Sequence, residues 1–311
     1  MPQAMRSEGP GAPLIESKVR AGEVDIHVAM SRDVGGDAGR PTLLFVHGYP
    51  DTHATWSHQL EALAPTHPVA AFDLRGAGGS SAPRTTAGYR VDAVLADFDA
   101  VIDAVAGPAE RVHLIGHDWG AALGWCFAAD PRRAARLRSF TAIAGPHPAL
   151  MGARLREALA RHRASDLALV ADQLRRSWYM MGFQIPGLGE ALWRRWPEAL
   201  WRRSLRAGGV PADDPALALD RAGILAGALG PIGLYRANFG GLARPAPVPT
   251  IEVPVSLLVP ARDFALAPEL YDNAADHVRD LELRYLEGGH WIHRRMPEVV
   301  TGIIRDFVAR H

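Results

Sequence analysis

Cysteine is nearly missing from this 311-residue chain: Cys126 is the only one. No intrachain disulfide can form, and a cysteine-cluster metal site is excluded. Lysine is as scarce, with Lys18 alone, a bias that suggests a GC-rich genome and no mechanism. Net charge is absent too. Lys+Arg and Asp+Glu each number 34, which leaves no positive excess for nucleic acid or for an anionic membrane surface. No run approaches the ~18 consecutive apolar residues of a transmembrane helix. The first residues, Met1 to Pro13, lack the apolar core of a signal peptide and read as a short flexible lead-in. A soluble cytoplasmic protein is the expectation. What is present agrees: 48% hydrophobic and 22% charged residues make an ordinary globular mix. The length suits two domains or one large domain with an insertion.

Along the chain, Leu14 to Met30 alternates roughly apolar and polar around Ala21-Gly22, which predicts an opening β-hairpin. Gly35, Gly36 and Gly39 then make a loop. Three short apolar runs follow, Thr42 to Val46, Val69 to Phe72 and Val112 to Ile115, each with a turn after it and two with a helical pattern. Continuous apolar strands alternating with helices imply a parallel sheet covered on both faces. Later strands are expected at Ser139 to Ile143, Val255 to Val259 and Leu281 to Leu286, and a final helix from Pro297 to Arg310.

The rhythm breaks between about Pro148 and Leu242. This stretch is helical in pattern, rich in Ala, Leu and Arg, and holds Trp178, Trp193, Trp196 and Trp201, half of the chain's eight tryptophans. Arg194, Arg195, Arg202, Arg203 and Arg206 suit the solvated face of an amphipathic helical layer. The tryptophans must cover something apolar, and a lid over a pocket is the natural candidate. Residues 1–147 and 243–311 are therefore expected to form the core, with 148–242 inserted as a lid. The Pro-rich stretch Pro245 to Pro254 reads as the return linker.

The strongest local signal is Gly116-His117-Asp118-Trp119-Gly120, between the apolar run Val112 to Ile115 and a helical pattern. It is a nucleophile-elbow pattern with aspartate where serine hydrolases carry serine. A helix N-cap aspartate is the plainer alternative. His47-Gly48-Tyr49-Pro50 also follows a strand. Its turn can aim the Tyr49 N–H at the same point as the Trp119 N–H, and two converging donors make an oxyanion hole. Pro50 restricts Tyr49 to an extended conformation and opens the option of a cis bond. Asp263 and His290 each follow a predicted strand. The chain order nucleophile, acid, histidine is that of the α/β-hydrolases. Among 13 histidines, His290 stands out by lying on a Gly-Gly loop after the last predicted strand, with His293 as its nearest rival.

With these motifs in order, the chain resembles α/β-hydrolases of the epoxide hydrolase family over nearly its whole length. His47-Gly48-Tyr49-Pro50 matches the family's H-G-x-P, Asp73 to Ser80 resembles its structural D-x-R-G-x-G-x-S loop, and Gly116 to Gly120 matches its nucleophile motif. Trp178 to Gly187 resembles the first tyrosine motif of the lid, with Tyr179 at the functional position. Gly230 to Arg236 resembles the second, with Tyr235 there.

The resemblance implies an α/β fold, a mostly parallel twisted sheet flanked by helices with an inserted cap. It implies Asp118 as nucleophile, His290 oriented by Asp263 as the activator of water, Tyr179 and Tyr235 as donors to the epoxide oxygen, and Tyr49 and Trp119 as the oxyanion hole. A lipophilic pocket wall is expected from His47, Pro50, Trp178, Met181, Phe183 and Trp291. The implied partners are a small-molecule epoxide and water, with no nucleic acid or membrane, and a monomer or homodimer as the working state. No metal or organic cofactor is implied. The alternatives are a haloalkane dehalogenase built on the same aspartate, and a non-catalytic binding protein of the same fold.

Overall fold

In the computed structural model, residues 14–32, 34, 40–242 and 250–311 are described, without the side chains of 241 and 242. The expected lead-in, the Gly35, Gly36 and Gly39 loop, and residues 245–249 of the return linker lie outside them.

The opening hairpin is β1 (Ile15–Ala21) and β2 (Val24–Met30), paired antiparallel from Ile15 opposite Met30 to Ala21 opposite Val24. Then come β3 (Leu43–Val46), α1 (Ser57–Leu63), β4 (Val69–Phe72), α2 (Val91–Ala106), β5 (Val112–His117), α3 (Trp119–Ala129), the single turn α4 (Pro131–Ala134) and β6 (Leu137–Ile143). A helix thus follows all three early apolar runs, one more than the pattern predicts; α1 has only seven residues, too few for periodicity to reveal.

Helices α5 (Pro148–Arg161), α6 (Ala164–Arg176), α7 (Trp178–Gln184), α8 (Leu188–Arg195), α9 (Pro197–Ala207), α10 (Arg221–Ala228) and α11 (Ile232–Leu242) intervene between β6 and β7. The chain rejoins the sheet as β7 (Val255–Pro260) and β8 (Leu281–Leu286), and closes with α12 (Ile292–Arg295) and α13 (Pro297–Val308).

The eight strands lie in the order β1-β2-β4-β3-β5-β6-β7-β8, parallel from β4 to β8 and antiparallel at the hairpin edge. β3 and β4 are apolar throughout and, like β5 and β7, wholly buried, because the sheet is covered on both sides. On β3, Leu44 and Val46 pack with Phe72 and Phe98 on one face, while Leu43 and Phe45 pack with Trp56 and Ile304 on the other. Full burial of such a side chain contributes about 1.5–3 kcal/mol. The functional consequence is geometric. Parallel strands all end at one edge, so the loops after β3, β5, β7 and β8 share a crevice there.

Candidate active site

Asp118 stands between β5 and α3 with φ 53° and ψ −116°. A non-glycine residue with positive φ is strained, and that strain is held in place by packing. Gly120 makes the elbow possible: a Cβ there would lie 2.2 Å from the Val46 carbonyl oxygen. The turn presents the Asp118 carboxylate at the sheet edge. Its Oδ1 accepts the Tyr49 N–H at 2.7 Å, and its Oδ2 lies 3.4 Å from Nε2 of His290. Trp119 opens α3, so its N–H has no carbonyl a turn before it and lies at the positive end of the helix. The Tyr49–Pro50 bond is cis.

The histidine arm is as defined. His290 is buried, and its Nδ1–H donates to Asp263 Oδ2 at 2.8 Å. Asp263 Oδ1 accepts the N–H groups of Ala265 and Leu266 at 2.7 and 3.2 Å, which fixes the carboxylate's orientation. The carbonyl of His290 accepts from His117 Nε2 at 2.9 Å. Burial opposes charge on His290, but the Asp263 carboxylate and the contacts with Asp118 outweigh it and push the imidazole up to about 10. Asp118 is moved the other way. Burial would raise it, yet His290 and the Tyr49 N–H hold the carboxyl below the usual range. The raised His290 and the lowered Asp118 favour an imidazolium beside the Asp118 carboxylate at neutral pH. His293, the rival histidine, is buried behind it with Nε2 on Thr55 Oγ1 at 3.0 Å, outside the row.

Two tyrosines from the inserted helices meet this row. Tyr235 on α11 packs edge-on against Trp119 (5.1 Å between ring centroids) and Tyr49 (5.2 Å). Tyr179 on α7 lies 6.0 Å from Tyr235, and Phe183 touches Tyr49, Tyr179 and Tyr235. Burial first, then the Asp118 charge for Tyr179 and both Tyr179 and Asp118 for Tyr235, raise these phenols above their ordinary value. They are O–H donors at any physiological pH. Their approach depends on Gly230 at the start of the second tyrosine motif, where a Cβ would lie 2.1 Å from the Gly76 carbonyl oxygen. The inserted helices press that closely onto the loop after β4.

Several expected pocket residues stand elsewhere. Trp178 is 72% and Met181 58% exposed, so neither walls the site. Helical phase is the reason: residues 178 and 181 share the outer face of α7, and 179 and 183 share the inner one. Trp196 is also exposed, so of the four inserted tryptophans only Trp193 and Trp201 are buried. The five arginines are on the solvated side as expected. His47 is fully buried, and both ring nitrogens are spent: Nδ1–H donates to Gly48 O at 2.7 Å and Nε2 accepts Leu74 N–H at 2.9 Å. It ties two loops together. Pro50 is buried with its carbonyl oxygen against Gly227 of α10. Trp291 is a buttress, edge-on to His290 at 5.1 Å, with Nε1–H donating to Asp51 Oδ2 at 2.7 Å.

Sequence reasoning missed Asp51, Arg176 and Gln173. Burial first raises Asp51, to about 6, although Trp291 and Arg294 oppose it. Its position directly after Pro50 was the one available signal. The Arg176 guanidinium donates to the Asp263 carbonyl, and Gln173 Nε2 donates to Ala265 O at 2.9 Å while its Oε1 accepts Ala267 N–H at 3.0 Å. Both residues brace the acid loop from α6, across about 90 residues of chain, and no local pattern marks them.

A family model described as the α/β hydrolase fold matches residues 41–293. The chain belongs to the α/β-hydrolase fold family. This α/β hydrolase is 32% identical over 283 residues to a Mycobacterium tuberculosis protein named probable oxidoreductase EphD, an alignment covering 88% of this chain. The chain spans only 46% of that relative's length. It is 29% identical over 288 residues to a Mus musculus protein named epoxide hydrolase 4, covering 88% of this chain and 74% of the relative. Among solved structures, an epoxide hydrolase from Bacillus megaterium in complex with an inhibitor superposes with a TM-score of 0.77 at 24% identity, covering 94% of this chain and 100% of that one. At that identity the likeness speaks for the fold alone. Among the described residues, no helix of this α/β hydrolase is long and apolar enough to cross a membrane.

Proposed function

We propose that this α/β hydrolase adds water to a lipophilic epoxide and releases a vicinal diol through an ester on Asp118. The observation that carries the reading is the pair of protonated phenols, Tyr179 and Tyr235, beside a carboxylate nucleophile. Ring opening at a saturated carbon needs an attacking group already charged at pH 7, and a proton for the departing oxygen. No metal or organic cofactor is required. The helices between Pro148 and Leu242 act as the lid that supplies the donors.

Asp118 attacks one ring carbon, the C–O bond breaks, and a tyrosine O–H gives its proton to the alkoxide. The tyrosinate is reprotonated from the His290 imidazolium. Esterification removes the Asp118 charge, one of the causes that hold His290 protonated, and so makes it easier for the imidazole to give up its proton and serve as base. His290 then takes a proton from water as the hydroxide attacks the ester carbonyl. The N–H groups of Tyr49 and Trp119 stabilise the tetrahedral oxyanion. Collapse expels the second alkoxide, which takes a proton from the His290 imidazolium and leaves as diol; the Asp118 carboxylic acid, carrying the hydroxide's oxygen, returns its proton to His290, so carboxylate and imidazolium are restored.

The test is a product assay on styrene oxide, a bromoalkane and an activated ester. Diol from the epoxide with no halide release supports the reading. Halide release without diol overturns it in favour of a dehalogenase.

A further inference from the structure

Away from the catalytic row, one ligand atom from each of Glu16, His27 and His53 lies within 4.8 Å of the other two. The three come from separate elements. Glu16 is on β1, His27 is diagonal to it on β2, and His53 opens the 3-10 turn His53–Trp56 after β3. Behind them is Asp73, a fully buried carboxylate at the end of β4. Its Oδ2 accepts from His27 Nδ1 at 2.9 Å, and its Oδ1 accepts from His53 Nδ1 at 3.0 Å and from the His53 N–H at 2.7 Å. The Gly79 N–H donates to Oδ2 at 2.9 Å. The two imidazole rings are 4.9 Å apart and tilted by 51°.

We propose that Glu16, His27 and His53 form a binding site for a divalent transition-metal cation, with Asp73 as the outer carboxylate that orients both imidazoles. Asp73 takes the Nδ1–H of each ring, which leaves Nε2 as each ring's remaining donor. That carboxylate–histidine arrangement fixes the tautomer and raises ligand basicity in protein metal sites. The Glu16 carboxylate already contacts His27 Nε2 and supplies the third ligand. Ligands 2.0–2.2 Å from a tetrahedral Zn²⁺ are ~3.4 Å apart. Small rotations of the exposed Glu16 side chain and of the rings close the cluster to that spacing. Two imidazoles and one carboxylate match zinc, cobalt, nickel or copper better than calcium or magnesium. Charge also balances, since Asp73 and Glu16 together neutralise a divalent ion. The bound ion would tie the opening hairpin to the turn that follows the Tyr49–Pro50 loop.

The experiment is calorimetric titration of the full, untagged chain with ZnCl₂, alongside Glu16→Gln and His53→Ala. One saturable equivalent is expected in the unaltered protein, weakened at least about ten-fold in each variant. With Cu²⁺ in place of Zn²⁺, electron paramagnetic resonance should register two imidazole nitrogens, and one in His53→Ala. Glu16→Gln keeps the size of a largely exposed side chain and removes only its charge and its ion pair with His27, so it reads the site while the fold is kept. Absence of saturable binding in the unaltered chain would overturn the proposal. So would one equivalent held with unchanged affinity in both variants.

Discussion

His290 Nε2 lies 3.4 Å from the carboxylate of Asp118, while its Nδ1 is bonded at 2.8 Å to the carboxylate of Asp263. One imidazole thus bridges two acids of different standing. Asp263 is held by two backbone N–H groups, whereas Asp118 is displayed on a strained turn with its Oδ1 on the Tyr49 N–H. The proposed roles, attack by Asp118 and support by Asp263, rest on this asymmetry.

Replacing His290 with glutamine should leave the first step possible and block the second. Incubation with styrene oxide is expected to add the substrate's mass to the Asp118 peptide, with steady-state diol formation reduced by at least about a thousandfold. Peptide mass spectrometry reads the adduct. No adduct together with undiminished diol production would refute the ester.

Tyr179→Phe and Tyr235→Phe each remove one donor to the departing oxygen. Each should slow ester formation by about 10²–10³-fold, and the double variant should nearly abolish it. Single-turnover stopped-flow is the measurement. An unimpaired double variant would remove the tyrosines from the chemistry.

The charge on His290 makes a prediction about pH. Its folded value of about 10 is above the unfolded value near 6.5. A raised value means stability fully present below about pH 6.5 and lost as pH climbs through about 10. Urea unfolding at pH 6, 8 and 10 should therefore give a stability gap between the natural chain and His290→Gln that narrows with rising pH. A gap constant over that range would contradict the imidazolium.

Arg294 and Asp214 form a buried bidentate pair between α12 and the segment after α9, with Nη2 donating to Oδ1 at 2.5 Å and Nε to Oδ2 at 3.2 Å. Burial pulls Asp214 upward, but Arg294 and the Ala216 N–H hold it below its ordinary value. Asp214→Asn strands a buried guanidinium and should cost about 3–5 kcal/mol in urea unfolding. A loss under about 1 kcal/mol would mean that the pair is solvated.

Much of this site was legible before any coordinates. Asp118, Asp263 and His290 were recognisable because each follows an apolar run, and a parallel sheet brings the ends of such runs to one edge. The expected strands from β3 to β8 stand where the apolar runs place them, although β6 begins at Leu137, two residues early, and the last helix stops at Val308. The errors came from reading residue type without helical phase. Tryptophan and methionine suggested a pocket wall at 178 and 181, yet the inner face of α7 belongs to 179 and 183.

The amino-acid order alone determined the succession of elements, the two-sided burial of the sheet and the kinds of chemistry at its edge. These follow from periods of 2 and 3.6 residues and from local turn chemistry, which act over a few neighbours. Only the tertiary structure decided that His47 ties the loop after β3 to the one after β4, and that Trp291 packs edge-on against His290. It alone brought Arg176 to the acid loop and gathered Glu16, His27 and His53 around Asp73. Those relationships join residues tens to hundreds of positions apart. Their free energy depends on packing and on exclusion of water once the chain has closed, and no short-range pattern encodes it.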